Sequence, residues 1–175
     1  RRGRSGGSFV RRPEGPPIDR LTARLPAMSA SDLRDLFDEH TAIAGQAARL
    51  AAERAAPYMV RRLFAFTDQL GVATTLGDRV RADSRFHIEV AVASQSARLA
   101  RREATLQAEV AGLIWLPLGP AIDLAAYVDE KHAIAAAVAA ENAQEARRLA
   151  ESHVMGQLAR LTAVNLDLST GGPGS

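Results

Sequence analysis

From Ser31 onward the apolar residues return every three or four positions. Leu33, Leu36, Phe37, Ile43, Ala47, Leu50 and Ala51 mark one such face, the spacing of an amphipathic helix. Ser31 or Asp32 can cap its start. Pro57 opens a second helix that carries Met59, Val60, Leu63, Phe64 and Phe66 and closes at Gly71. A third helix is expected from about Thr75 to Ser94, with Val80, Phe86, Val90 and Val92 as its apolar positions. A fourth runs from about Ser96 to Leu116, a fifth from about Ile122 to Ala140 and a sixth from about Ala143 to Leu166. The alternation of a half-buried strand is absent after residue 12. The pattern therefore predicts an all-α fold, an antiparallel bundle of about six helices joined by short loops.

The front of the chain reads differently. In residues 1–12, glycines at 3, 6 and 7 precede the strand-like run Ser8-Phe9-Val10. This predicts half of an arginine-studded β-hairpin, or else a disordered basic tail. Pro13, Pro16, Pro17 and Pro26 make residues 13–28 a proline-rich linker. The helical domain is then 29–168, and 169–175, with its Gly-Gly-Pro-Gly, is expected to be a disordered tail. Charge follows the same division. Residues 1–24 hold seven arginines against Glu14 and Asp19, a balance of +5, so with +2 overall the rest of the chain carries −3. The helical body has no cationic bias toward nucleic acid.

Composition narrows the chemistry. The 175 residues are 47% hydrophobic but only 5% aromatic, with alanine and leucine dominant, a balance that favours helix. No uncharged apolar run is long enough to cross a membrane, and no apolar stretch follows the basic start as in a secretory signal. A cytoplasmic location is expected. There is no cysteine, so a metal could be held only by histidine, carboxylate or water.

The four histidines carry the candidate chemistry. His87 follows Asp83 by four residues, so on a helix the two project from one face, one turn apart. His132 and His153 lie in alanine-rich helices of their own, flanked by Ala133-Ile134-Ala135 and Val154-Met155. Imidazoles on such faces are expected to point inward and to need partners there. Two readings are open: separate hydrogen-bonded core histidines, or one divalent ion (Zn, Ni, Mn or Fe) held by Asp83, His87, His132 and His153.

The segments Asp83-Ser-Arg-Phe-His87 through Ser94, His132, His153 and Ala48-Arg-Leu-Ala-Ala-Glu-Arg-Ala55 together resemble the ligand-binding C-terminal (FCD) domain of FadR-type GntR transcription regulators. The likeness covers roughly residues 31–166. Gly3-Arg-Ser-Gly-Gly-Ser-Phe-Val10 resembles the wing hairpin that ends the family's winged helix-turn-helix, which places the chain's start inside the wing and its recognition helix before it. The resemblance implies a cytoplasmic, usually dimeric DNA-binding regulator that senses a small organic acid. It implies metal ligands at Asp83, His87, His132 and His153, operator contacts from Arg2 and Arg4, and an effector contact near His40; Arg102 and Trp115 are further candidates for facing the effector pocket. Three positions depart from the family pattern. An Arg and a Glu expected in the first helix are His40 and Ala44, and an Asn expected after the third helix is Ser96.

Two other classes compete: a helical metalloenzyme and a metal-free interaction module. A ferritin-like di-iron site needs Glu-x-x-His, and no Glu here has a His three residues later. A His-Asp phosphohydrolase needs the two residues adjacent, and no His is followed by Asp. Neither enzyme signature is met.

Overall fold

The computed structural model describes residues 18–116 and 121–170. These form seven helices and, among the described residues, no strand: α1 (Ile18–Ala27), α2 (Ala30–Arg54), α3 (Pro57–Gly71), α4 (Leu76–Ala93), α5 (Ala97–Ile114), α6 (Leu124–Ala139) and α7 (Ala143–Thr170). The six expected helices are present within a few residues. Two boundaries differ. Residues 18–27, expected to be linker, are helical, with Pro26 inside the last turn. The turn is held because the side chain of Asn165 donates to the carbonyls of Leu25 and Met28, and Leu25 is fully buried. Residues 169–170, expected in the tail, complete α7. The expected wing (1–12), with Arg2 and Arg4, and residues 13–17 and 171–175 lie outside the described residues.

Local chemistry sets the helix starts. Ser29 and Asp32 form a reciprocal capping box at α2. Thr75, Ser96 and Asp123 accept from backbone amides at the starts of α4, α5 and α6, and Pro57 takes the first position of α3. The departure at Ser96 therefore has a structural use as an N-cap.

The long helices α2 and α7 form the central pair. They run antiparallel: the start of α2 lies beside Asn165, while Gly45 faces Glu151. Ala44, Gly45, Ala47, Ala48, Ala51 and Ala52 keep that face of α2 small, so α7 approaches closely. Helix α4 packs between α3 and α5, and α6 lies against α3 and α7.

The apolar core falls into two clusters. One contains Leu63, Phe86, Val90, Ile134 and Val138. The other contains Leu33, Phe37, Leu70, Val110, Leu113 and Trp115. Each long helix contributes to both, and near the boundary it carries a buried polar residue: His40 on α2, Asp83 and His87 on α4, Glu103 and Gln107 on α5, Lys131 on α6, His153 and Gln157 on α7. A polar layer thus crosses the middle of an otherwise apolar bundle. Burying that many polar groups is costly unless they satisfy one another.

Candidate functional site

Asp83 is the hub of the layer. Its Oδ2 accepts from the indole N–H of Trp115 at 2.7 Å and from the Tyr127 hydroxyl at 3.0 Å. Its Oδ1 lies 2.7 Å from the Nζ of Lys131, and both side chains are buried. Burial opposes ionisation of Asp83, but the ammonium of Lys131 and the donors around it outweigh that and hold its pKa below the ordinary carboxylate value. Burial likewise pulls the Lys131 ammonium down, opposed by its pairing with Asp83.

Lys131 also donates to Nε2 of His87 at 3.0 Å. That fixes the tautomer: Nε2 accepts, and the proton sits on Nδ1, which faces Glu103 Oε1 at 3.9 Å. Burial, followed by the neighbouring Lys131 charge, drives the His87 pKa well below the usual imidazole range, so the ring is neutral. The ring of His153 stacks on His87 with centroids 5.3 Å apart. Its Nδ1 donates to Glu130 at 2.6 Å and its Nε2 accepts from Gln157 at 3.0 Å. Burial lowers its pKa as well, against the pull of Glu130. The same Gln157 amide reaches the Tyr127 hydroxyl at 2.6 Å, and burial beside Asp83 pushes the Tyr127 pKa well up.

A second group shares His87 from the other side. His40 Nε2 lies 3.1 Å from Glu103 Oε1, which also accepts from Gln107 at 2.8 Å. His40 Nδ1, Glu103 Oε2 and Gln107 Oε1 are buried with no hydrogen-bond partner among the described residues. A void of about 10 Å³ bordered by His87 and Glu103 lies alongside, about the size of one water.

The four expected metal ligands are therefore not brought together as a set. Asp83, His87 and His153 converge, with one ligand atom from each within 4.8 Å of the others. His132 does not join them. It is partly exposed, packs on Phe64 and pairs with Asp68 at 3.3 Å. The reason is angular. The buried face of α6 runs through Lys131, Ile134, Ala135 and Val138, and position 132 is turned about 100° from position 131. Replacing His132 with Ala is expected to change stability by less than about 1 kcal/mol, as for an exposed ion pair; urea unfolding at pH 7 measures it.

Of the effector candidates, Trp115 and His40 belong to the polar layer. Arg102 does not: it lies on the surface, paired with Glu39. Lys131, Tyr127, Glu103, Gln107 and Gln157 were not anticipated. The available signals were Tyr127 and Lys131 one turn apart on the face of Ile134 and Val138, and Gln157 one turn after His153.

Does the group fit a divalent ion? Asp83 Oδ1 and His87 Nε2 lie 3.7 Å apart, a span that one ion bound at about 2.0–2.2 Å to each could bridge. The Lys131 ammonium already engages both atoms, and the remaining imidazole nitrogen, His153 Nε2, accepts from Gln157. At Asp83, His87 and His153 the residues as arranged do not fit a resident divalent metal; His40, His87 and Glu103 form a second group with one ligand atom from each within 4.8 Å of the others.

Beside the layer, a cavity of about 430 Å³ opens between α5, α6 and α7. Ile114, Ile122 and Ala126 give it apolar walls, while Tyr127, His153, Gln157 and Arg160 give it polar ones. A depression of about 540 Å³ between α3 and α4, lined by Gln69, Asp78, Arg81 and Arg85 among others, includes no member of the buried polar layer.

Comparison with known proteins decides the family. Residues 35–156 match the FCD domain model. The chain belongs to the FCD domain family. This FCD domain is 39% identical over 170 residues to a Mycobacterium gastri protein named as an HTH-type transcriptional regulator, RmpR, covering 96% of this chain and 62% of that protein. In fold it is similar to E. coli McbR/YncC (TM-score 0.66, 18% identity, 76% of this chain and 65% of that one). It is also similar to a Rhodococcus sp. RHA1 protein described as a GntR transcriptional regulator (TM-score 0.61, 19% identity, 77% and 66%). The chain thus spans just under two thirds of the length of these relatives. The M. gastri and Rhodococcus proteins are named as transcriptional regulators, and among the described residues no helix is long and apolar enough to cross a membrane.

Proposed function

We propose that this FCD domain is the effector-sensing part of a GntR-type transcriptional regulator, and that the cavity between α5, α6 and α7 receives the effector. The observation that carries the reading is the sharing of side chains: Tyr127 and His153 line the cavity and also belong to the buried layer around Asp83 and Lys131. A bound molecule would therefore press on the level that joins five helices of the bundle, and a shift in helix packing is the kind of change a sensor needs. The effector class is a small organic acid. Arg160 supplies the cationic anchor for its carboxylate, and Ile114 and Ile122 the apolar contact. Operator DNA would be bound by the part of the protein before α1, where Arg2 and Arg4 stand, with two copies acting as a dimer.

The test has two readouts. Calorimetry with a panel of small mono- and dicarboxylates should identify a ligand for the chain, and the same ligand should change operator affinity of the full-length protein in gel-shift titrations. Gly156 borders the cavity, and a Cβ there meets no atom within 4 Å. Gly156→Leu should fill the space, weaken the ligand at least about tenfold, and leave the fold at least as stable, since glycine costs up to about 1 kcal/mol within a helix. Full binding in that variant would place the effector elsewhere.

A further inference from the structure

We propose that the ammonium of Lys131 is the resident cation at Asp83, His87 and His153 of this FCD domain, doing permanently what a divalent ion would do there, so that this place works without metal. The geometry of the lysine carries the inference. Nζ is fully buried, 2.7 Å from Asp83 Oδ1 and 3.0 Å from His87 Nε2. It sits 4.5 Å from the centre of the Phe86 ring and 5.2 Å from that of Tyr127, distances at which an aromatic face attracts a cation. Two acceptors and two rings enclose it. A carboxylate oxygen and an imidazole nitrogen brought within 3.0 Å of one point are also what a metal ion asks of a protein. Here the point is filled by a charge attached to α6.

The substitution has consequences. A lysine cannot dissociate, so Asp83 and His87 stay oriented whatever the metal supply. An ammonium has no open coordination position, so a carboxylate cannot be captured on it as on a metal with exchangeable water. Recognition is left to the cavity wall of Tyr127, Gln157 and Arg160. The inference depends on the buried layer alone and not on which molecule fills the cavity.

Metal titration tests it directly. Purified chain should contain well under one equivalent of divalent metal by elemental analysis. Its Tm should be the same in EDTA and in Zn²⁺, Ni²⁺, Co²⁺ or Mn²⁺. Lys131→His should convert the place into a metal site, taking up one Ni²⁺ or Co²⁺ per chain, with Tm raised by roughly 5–10 °C at about 100 times Kd. Lys131→Ala, which vacates the place without adding a donor, is the second variant and should also gain metal uptake, more weakly. Stoichiometric divalent metal in the unmodified chain would overturn the proposal, as would the absence of uptake in both variants. A failure to find any effector would leave these readouts intact and count only against the sensing role.

Discussion

Lys131→Met is expected to cost about 3–5 kcal/mol of folding stability, the range for removing one partner of a buried ion pair. Methionine retains most of the aliphatic stem, so the lost packing is small. What remains is a carboxylate, Asp83, buried with two neutral donors, Trp115 and Tyr127, and no counter-charge. His87 Nε2 loses its donor at the same time. The partner variant Asp83→Asn retains an oxygen for Trp115 and Tyr127 but strands the ammonium, and a loss of similar size follows. The double variant Asp83→Asn with Lys131→Met removes both charges, and its loss should be clearly smaller than the sum of the single losses. Urea unfolding of the four proteins at pH 7 closes the cycle. A single-variant cost below about 1 kcal/mol would mean that Asp83 and Lys131 are not paired in the folded protein.

The same residue shows what the sequence could and could not disclose. Six helices were legible because apolar residues at three- and four-residue steps mark a buried face, and because Ser, Thr, Asp and Pro punctuate the starts. Helix α1 was not legible. Pro26 and its neighbours read as linker, and the carbonyls that need partners there find them in Asn165, some 140 residues away in sequence. Asp83, His87 and His153 were legible as an inward group, since polar residues on apolar faces must meet something. His132 was misplaced because its flanks are mostly alanine, and alanine does not tell one face of a helix from another. The larger residues Tyr127, Ile134 and Val138 define the face of α6, and they point to Lys131 instead. A buried lysine is rare unless paired, so composition discouraged the assignment that the geometry makes. Arg102 was misjudged in the opposite sense: Glu39, which pairs with it on the surface, is 63 positions away.

Mild acid should destabilise the bundle by up to about 2.7 kcal/mol for each pH unit below 6.5. The sign follows from two histidines. His87 and His153 are buried, and burial, followed by the charge of Lys131, holds both folded-state pKa values below 6.5. In the unfolded chain each returns to about 6.5. Between that value and the folded one, the unfolded state binds protons that the folded state refuses, so stability falls as pH falls, by about 1.4 kcal/mol per unit for each histidine. Above about pH 7 both states are neutral at these rings and their contribution to the slope disappears. Asp83 acts in a separate, lower window. Its folded pKa is depressed, so its contribution is complete above about pH 4 and is lost only as pH drops toward the folded value. Urea unfolding at pH 7.5, 6.5, 6.0 and 5.5 reads the slope. Replacing His153 with Gln, which can still donate to Glu130, should remove about half of it. A wild-type slope no steeper than that of the His153→Gln variant would show that one of the rings takes up its proton equally in the folded and unfolded states. His153 is then the one to suspect, because its Nδ1 lies 2.6 Å from the Glu130 carboxylate.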